Sequence, residues 1–186
     1  MKVLALGGSG GMGRYAVQYL HNIKQIEKIY VADVNSLSAK KFASHFDNRV
    51  EGLKLDIRDF ETLKSEMSKV DIVVNTTGPF FLFAEPILKA AIQTNTHYFD
   101  ICDDWEPTEK MLQMNEDAKN ANITAIIGLG ASPGLTNILA HMAISELDEV
   151  RKVYTGWDMS AAKPESESSL SLIHIPSPRD LLGSRM

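Results

Sequence analysis

Short apolar runs rich in β-branched and aromatic residues alternate along this chain with stretches whose apolar positions recur at helical spacing. The runs KVLAL (2–6), KIYVAD (28–33), VEGLKLD (50–56), DIVVN (71–75), HYFDI (97–101) and ITAIIG (123–128) suit strands. Between the first two, Met12, Tyr15, Ala16, Tyr19, Leu20 and Ile23 make one helical stripe; Ala39, Phe42 and Phe46 make another further on. More helices are predicted over 59–69, 84–93, 107–121 and 134–147, with Met111 and Met114 sharing a core-facing side. Strands separated by helix-length segments pair in parallel through right-handed crossovers, so the predicted fold class is α/β, a doubly wound parallel sheet. No repeat at a solenoid period interrupts this order.

Beyond Asp158 the pattern stops. We therefore divide the chain into a folded domain over 1–158 and an irregular Ser/Pro-rich tail over 159–186, where Pro164, Pro176 and Pro178 block regular structure. One reading of that tail is a flexible linker. The other starts from its end, SLSLIHIPSPRDLLGSRM, which resembles translated adapter or vector sequence; the natural protein would then continue past about residue 168 with different residues. No function is assigned to residues after Leu170.

Composition narrows the classes. At 186 residues, with 44% hydrophobic and 23% charged residues, the chain has the make-up of a globular domain large enough to bury a core. A formal charge of −5 argues against binding a nucleic-acid backbone. The single cysteine, Cys102, can form neither an internal disulfide nor a multi-cysteine zinc site, which fits a reducing, cytoplasmic setting. The apolar run after Lys2 is too short for an export signal, and Ile123 to Ala131 is too short for a membrane helix, so no membrane partner is predicted.

The strongest motif is GGSGGMG, residues 7–13, which follows the first strand and opens the first helix. Gly8, Gly10 and Gly13 satisfy G-x-G-x-x-G: a tight turn, close backbone approach to a pyrophosphate, and close packing of helix on strand. Ser9, Gly11 and Met12 complete the loop, whose N–H groups at a helix start favour phosphates without a basic side chain. Asp33, about 20 residues on, ends the second strand where a carboxylate accepts hydrogen bonds from the adenosine ribose. It would repel a 2′-phosphate, and neither Val34 nor Asn35 supplies a guanidinium, so NAD is predicted over NADP. The other reading of Asp33 is a helix cap, a task Asn35 or Ser36 could take instead. Asp56 and Ile57 end the third strand where an adenine ring commonly rests, although Asp56 also reads as a solvated turn residue. Asn75, Thr76, Thr77, Gly78 and Pro79 close the fourth strand at the sheet edge where ligands gather, and are candidate contacts to the nicotinamide ribose.

Other chemistries fit poorly. Gly7, Gly10 and Gly13 also match the loop of short-chain dehydrogenases, but none of Tyr15, Tyr19, Tyr30, Tyr98 or Tyr154 has a Lys four residues later. Arg14 and Tyr15 stand where a phosphate loop of nucleotide hydrolases needs Lys and Ser or Thr. Cys102, among Asp100, Asp103 and Asp104, sits where a thiolate is disfavoured and reads as structural. His21, His45, His97, His141 and His174 show no metal-ligand spacing, so no metal is predicted. In GLGASPGLTNILA (128–140), Pro133 and Gly134 turn the chain into a helix whose start, beside Thr136 and Asn137, either holds a carboxylate or amide or is an ordinary helix entry.

Taken in order, GGSGGMGRYA, VADVN, VNTTGPF, HYFDICDDW and GLGASPGLTN resemble the Rossmann-like dinucleotide-binding domain of the saccharopine dehydrogenase family over about residues 1–158. The resemblance implies an NAD(P)-dependent oxidoreductase that transfers hydride at the C–N carbon of an amino-acid-derived secondary amine. It places Gly8 to Gly13 at the pyrophosphate, Asp33 at the ribose, Asn75 to Pro79 beside the nicotinamide ribose, and Asp100 to Asp104 and Pro133 to Asn137 on the cleft between domains. It further implies a second domain that binds an amino-acid-like small molecule and forms a homodimer, for which 186 residues leave no room. The rival reading is a non-catalytic NAD(P)-binding sensor. No residue is assigned as catalytic acid or base.

Overall fold

The computed structural model describes residues 1–156, so the predicted tail over 159–186 lies outside the described residues. Six strands form one parallel sheet: β1 (Lys2–Leu6), β2 (Lys28–Asp33), β3 (Val50–Lys54), β4 (Ile72–Asn75), β5 (His97–Asp100) and β6 (Ala125–Ile126). Their order is β3-β2-β1-β4-β5-β6, and β1 pairs in parallel with both β2 and β4, Leu6 standing against Ala32 on one side and Asn75 on the other. The direction of strand addition reverses between β1 and β4, which opens a crevice at the carboxyl ends of the strands. The predicted doubly wound α/β fold is thus the observed one.

The helices are α1 (Gly11–His21), α2 (Ser36–Ala43), α3 (Phe60–Met67), α4 (Phe80–Gln93), α5 (Trp105–Leu112), α6 (Asn115–Asn120) and α7 (Leu135–Ser145). Strand alternation sorts the core into two layers. Val3, Ala5, Ile29 and Val31 pack with Val17 of α1 and with Ala39 and Phe42 of α2. Leu4, Leu6, Val73 and Tyr98 pack on the other face with Leu63 and Met67 of α3, Ala84, Ile87 and Leu88 of α4, and Met111 of α5. Short polar side chains start α2 and α3. Asn35 Oδ1 accepts from the N–H groups of Leu37 and Ser38, and Asp59 Oδ1 from that of Thr62.

Several predicted elements are revised. The helix predicted from residue 84 begins at Phe80, because Pro79 stands at its N-cap and Asp104 Oδ2 accepts from Phe81 N at 3.1 Å. The helix predicted over 107–121 is two helices, α5 and α6, separated at Gln113 and Met114. The last strand pairs only through Tyr98–Ala125 and Phe99–Ile126, since Asp100 captures the chain just beyond it. The stripe Met12, Tyr15, Tyr19 and Ile23 is exposed rather than in the core; α1 buries Gly13 and Val17 instead. That stripe lines an apolar groove of about 520 Å³ together with Ile72, Val74, Phe99, Ile101 and Leu129. Helix α7 likewise buries none of its residues.

Candidate functional site

The first turn of α1 is built against the loop that precedes it. Gly7 takes a left-handed φ of +68°, and Gly7 and Gly8 both donate their N–H to Ala32 O, at 2.9 and 3.3 Å. This folds the loop over the end of β2. A Cβ on Gly13 would lie 2.2 Å from Gly7 O and 2.7 Å from Gly8 Cα, so only glycine lets the helix approach so closely. Arg14 N to Gly10 O is the first backbone bond of the helix. The N–H groups of Gly11, Met12 and Gly13 therefore precede the intrahelical ladder and are available at the positive end of the helix dipole. Gly10, at the N-cap, has no capping side chain. The Met12 side chain lies in the apolar groove, so its contribution to the loop is its backbone.

Asp33 stands at the end of β2, and its carboxylate is held from two sides. Ser9 Oγ donates to Oδ2, and Asn35 N donates to Oδ1 at 2.9 Å. Ser9 is itself buried and shares a 3.0 Å hydrogen bond with Ser38 Oγ. The cap of α2 is Asn35, which leaves Asp33 facing the cleft. That cleft, about 340 Å³, runs across the carboxyl edge from Asp33 and Val34 past Leu6 and Gly7 to Thr77 and Gly78. Leu55, Asp56, Ile57 and Phe83 form its far wall.

Arg58 joins them there, a cation that the residues next to Asp33, Val34 and Asn35, do not reveal. Its guanidinium binds Asp56 at 2.6 Å, and with Arg58 N at 3.0 Å it lowers the Asp56 carboxyl to about 2. The sequence signal is the spacing, an Arg two residues after the Asp that ends the third strand.

The turn after β4 separates into what lines the cleft and what stands behind it. Thr77 and Gly78 line it, and a Cβ on Gly78 would meet nothing within 4 Å. Thr77 Oγ1 is buried without a hydrogen-bond partner and lies 2.9 Å from where a Gly7 Cβ would be. Thr76 turns away: its N–H and Oγ1 both donate to Leu6 O, at 3.0 and 2.9 Å. Asn75 is fully buried, with Oδ1 accepting from Thr77 N at 3.0 Å and Nδ2 donating to Tyr98 Oη at 3.1 Å. Pro79 begins α4. Asn75, Thr76 and Pro79 therefore shape the turn, and Thr77 and Gly78 present it.

Asp100 ends β5, almost fully buried, and burial raises its carboxyl above its ordinary value. Cys102 is buried too; its thiol accepts from Thr108 Oγ1 at 3.7 Å and donates to Asp104 O at 3.6 Å, and burial pushes it up. A thiol in this state is a poor nucleophile. Among the described residues no group of three or more His, Cys, Asp or Glu could hold a metal ion, and no helix is long and apolar enough to cross a membrane.

The glycine cradle, the free N–H groups at the start of α1, the anchored Asp33 and the unpartnered Thr77 hydroxyl together fit a dinucleotide laid across the carboxyl edge. Comparison with known proteins agrees. A family model described as the saccharopine dehydrogenase NADP binding domain matches residues 3–126. A Caenorhabditis elegans lipid droplet localized protein is 28% identical over 139 residues, covering 69% of this chain and 32% of that protein. The Pyricularia oryzae saccharopine dehydrogenase [NADP(+), L-glutamate-forming] is 27% identical over 143 residues, 76% of this chain and 30% of its own. The chain thus spans about a third of the length of these relatives.

Among solved structures, apo saccharopine dehydrogenase (L-Glu forming) from Saccharomyces cerevisiae superposes with a TM-score of 0.67 at 23% identity, over 78% of this chain and 31% of that one. Citrobacter triphenylmethane reductase complexed with NADP(H) gives 0.51 at 17% identity, over 68% and 48%. At these identities the two structures speak for the fold alone.

Proposed function

The chain belongs to the saccharopine dehydrogenase NADP-binding domain family, and from that premise we propose that its cleft binds NAD(H), in preference to NADP(H), for hydride transfer at a C–N bond. The observation that carries the preference is the Asp33 carboxylate, fixed by Ser9 Oγ and Asn35 N and turned into the cleft. Such an acceptor matches the paired hydroxyls of an unphosphorylated ribose and repels a 2′-phosphate. The N–H groups of Gly11 to Gly13 receive the pyrophosphate, Ile57 and Leu55 offer an apolar wall to the adenine, and Thr77 and Gly78 border the nicotinamide ribose.

Bound there, the cofactor supplies the hydride acceptor or donor, and the protein supplies orientation and a shaped, partly apolar wall. An amino-acid-derived secondary amine is the substrate class, and in the whole protein it would bind against a second domain. That domain would also carry the groups that move protons, and a homodimer would form through it. A cytoplasmic location accompanies this reading; the nematode relative's name places that relative at lipid droplets, and fractionation would decide for this chain.

One observation favours NADP instead: Arg58 shares the cleft with Asp33. Its bond to Asp56 holds it away from that duty. Calorimetric titration of this chain with NADH and NADPH decides between them. NADH should bind more tightly, and Asp33→Asn should narrow the gap. NADPH binding as tight as NADH, or tighter, would overturn the preference, and binding of neither would overturn the assignment of the cleft.

A further inference from the structure

Behind the cleft, buried polar atoms form a directed chain. Tyr98 Oη donates to Asp100 Oδ2 at 2.7 Å and accepts from Asn75 Nδ2 at 3.1 Å, and Asn75 Oδ1 accepts from Thr77 N at 3.0 Å. The direction is forced. The backbone N–H of Thr77 can only donate, so Asn75 turns its carbonyl to Thr77 and its amide nitrogen to Tyr98. The phenol oxygen then accepts from Asn75, and its one proton goes to Asp100. The second oxygen of Asp100 accepts from Cys102 N at 3.1 Å and Gly128 N at 2.8 Å, and its backbone carbonyl accepts from Leu129 N at 2.7 Å. One carboxylate therefore ties together three loops at the carboxyl edge: the turn of residues 75–79, the turn at Cys102 and the loop that leads into α7.

We infer that Asp100 is the positioning residue for the nicotinamide end of the cleft, acting through Tyr98 and Asn75 on Thr77 and directly on Gly128. This inference rests on the cofactor reading proposed above and adds to it a residue that never touches the cofactor. Every atom that the chain of bonds ends on lies at the carboxyl edge, and Asp100 is its terminal acceptor. Burial holds the Tyr98 phenol protonated, as its donor role requires.

Two variants of the 186-residue chain test it. Tyr98→Phe keeps the ring and removes the relay, leaving the Asn75 amide nitrogen without its acceptor. Asp100→Asn keeps one oxygen for Cys102 and Gly128 but presents N–H to Tyr98, which leaves the phenolic proton without an acceptor. Each variant is titrated calorimetrically with NADH and with ADP-ribose, which lacks the nicotinamide, and the emission of bound NADH is recorded.

The expected result is ADP-ribose affinity within about twofold of the parent, NADH affinity lower by roughly threefold to tenfold, the scale of one neutral hydrogen bond, and emission moved toward that of free NADH. In amide spectra Tyr98→Phe should shift Thr77 and leave Gly128 in place, a result that needs no ligand. Equal losses for both ligands, or no loss of NADH, would overturn the positioning role while the cofactor reading stands. A parent that binds no NADH would overturn both. Should Asp100→Asn fail to fold, Tyr98→Phe decides alone, since it leaves the core volume intact.

Discussion

Gly10 and Gly13 do different work in the loop, and adding one methyl group to each separates their roles. In Gly13→Ala the new Cβ would lie 2.2 Å from Gly7 O and 2.7 Å from Gly8 Cα, both backbone atoms, so α1 must back away from the loop. Overpacking of this kind costs about 1–3 kcal/mol. In a domain of this size each kcal/mol moves the midpoint by about 2–4 °C, so the melt should fall by about 6 °C. In Gly10→Ala the nearest atom to the new Cβ is Gly7 O at 3.1 Å, and the φ of −76° suits any residue. Stability should then stay within about 0.5 kcal/mol of the parent. The methyl would stand on the open side of the loop, where a pyrophosphate must approach, and NADH affinity should fall by at least about tenfold, or ~1.4 kcal/mol.

Thermal melts followed by circular dichroism, together with calorimetric titration of NADH, read both quantities. Gly13→Ala melting with the parent would refute the close-packing argument. Gly10→Ala binding NADH as the parent does would refute the placement of the pyrophosphate.

Arg58→Ala should let the Asp56 carboxyl climb from about 2 toward its ordinary 3.8, as followed by carboxyl-carbon NMR. Because the folded value lies below the unfolded one, the pair stabilises the fold above about pH 4 and that contribution is lost as pH falls through about 2; an unmoved titration in the variant would contradict the pairing. Asp100 works with the opposite sign, since its folded value is raised: its contribution is present below the ordinary carboxylate range and declines as pH rises through the folded value. Asp100→Asn should therefore compare better with the parent at neutral than at acid pH in denaturant melts, and a pH-independent difference would count against it. Cys102, buried with its thiol pushed up, should react with a disulfide reagent at least about a hundredfold more slowly in the native protein than in denaturant; comparable rates would show that the thiol is accessible.

Much of this architecture is legible in the chain itself. KIYVAD corresponds residue for residue to β2, and KVLAL to β1, because strands buried on both faces read as unbroken apolar runs. The stripe on α1 misleads for a physical reason: periodicity reports which face is apolar, not whether anything covers it. Gly13 and Val17 make the actual buried face because the glycine loop pulls α1 down on that side. The shortness of β6 could not be read from ITAIIG, since it depends on Asp100 seizing the N–H groups of Gly128 and Leu129 from another strand. At the site, spacing alone pointed to Asp33 and the glycine loop. It could not separate Thr77, which lines the cleft, from its neighbours Asn75 and Thr76, whose polar atoms are engaged inside the protein; that division depends on contacts with Tyr98 and with Leu6 O. Arg58 reaches the cleft from beyond β3, so the spacing around Asp33 does not bring the two together.

The two hydrogen bonds that Thr76 donates to Leu6 O mark the seam where β4 meets β1, and with it the two halves of the cleft. In the binding mode proposed above, residues up to Ile57 would form the adenosine side, and the turn after β4 would begin the nicotinamide side. Any breathing of the domain that parts these halves must break that pair, so the Thr76 amide would exchange its hydrogen with solvent only while the seam is open. A ligand laid across both halves acts as a strap over the seam and slows that exchange, whereas one confined to the adenosine side leaves it free-running. A single backbone proton, remote from any reacting atom, thereby becomes a clock for whether the cleft is spanned or only entered.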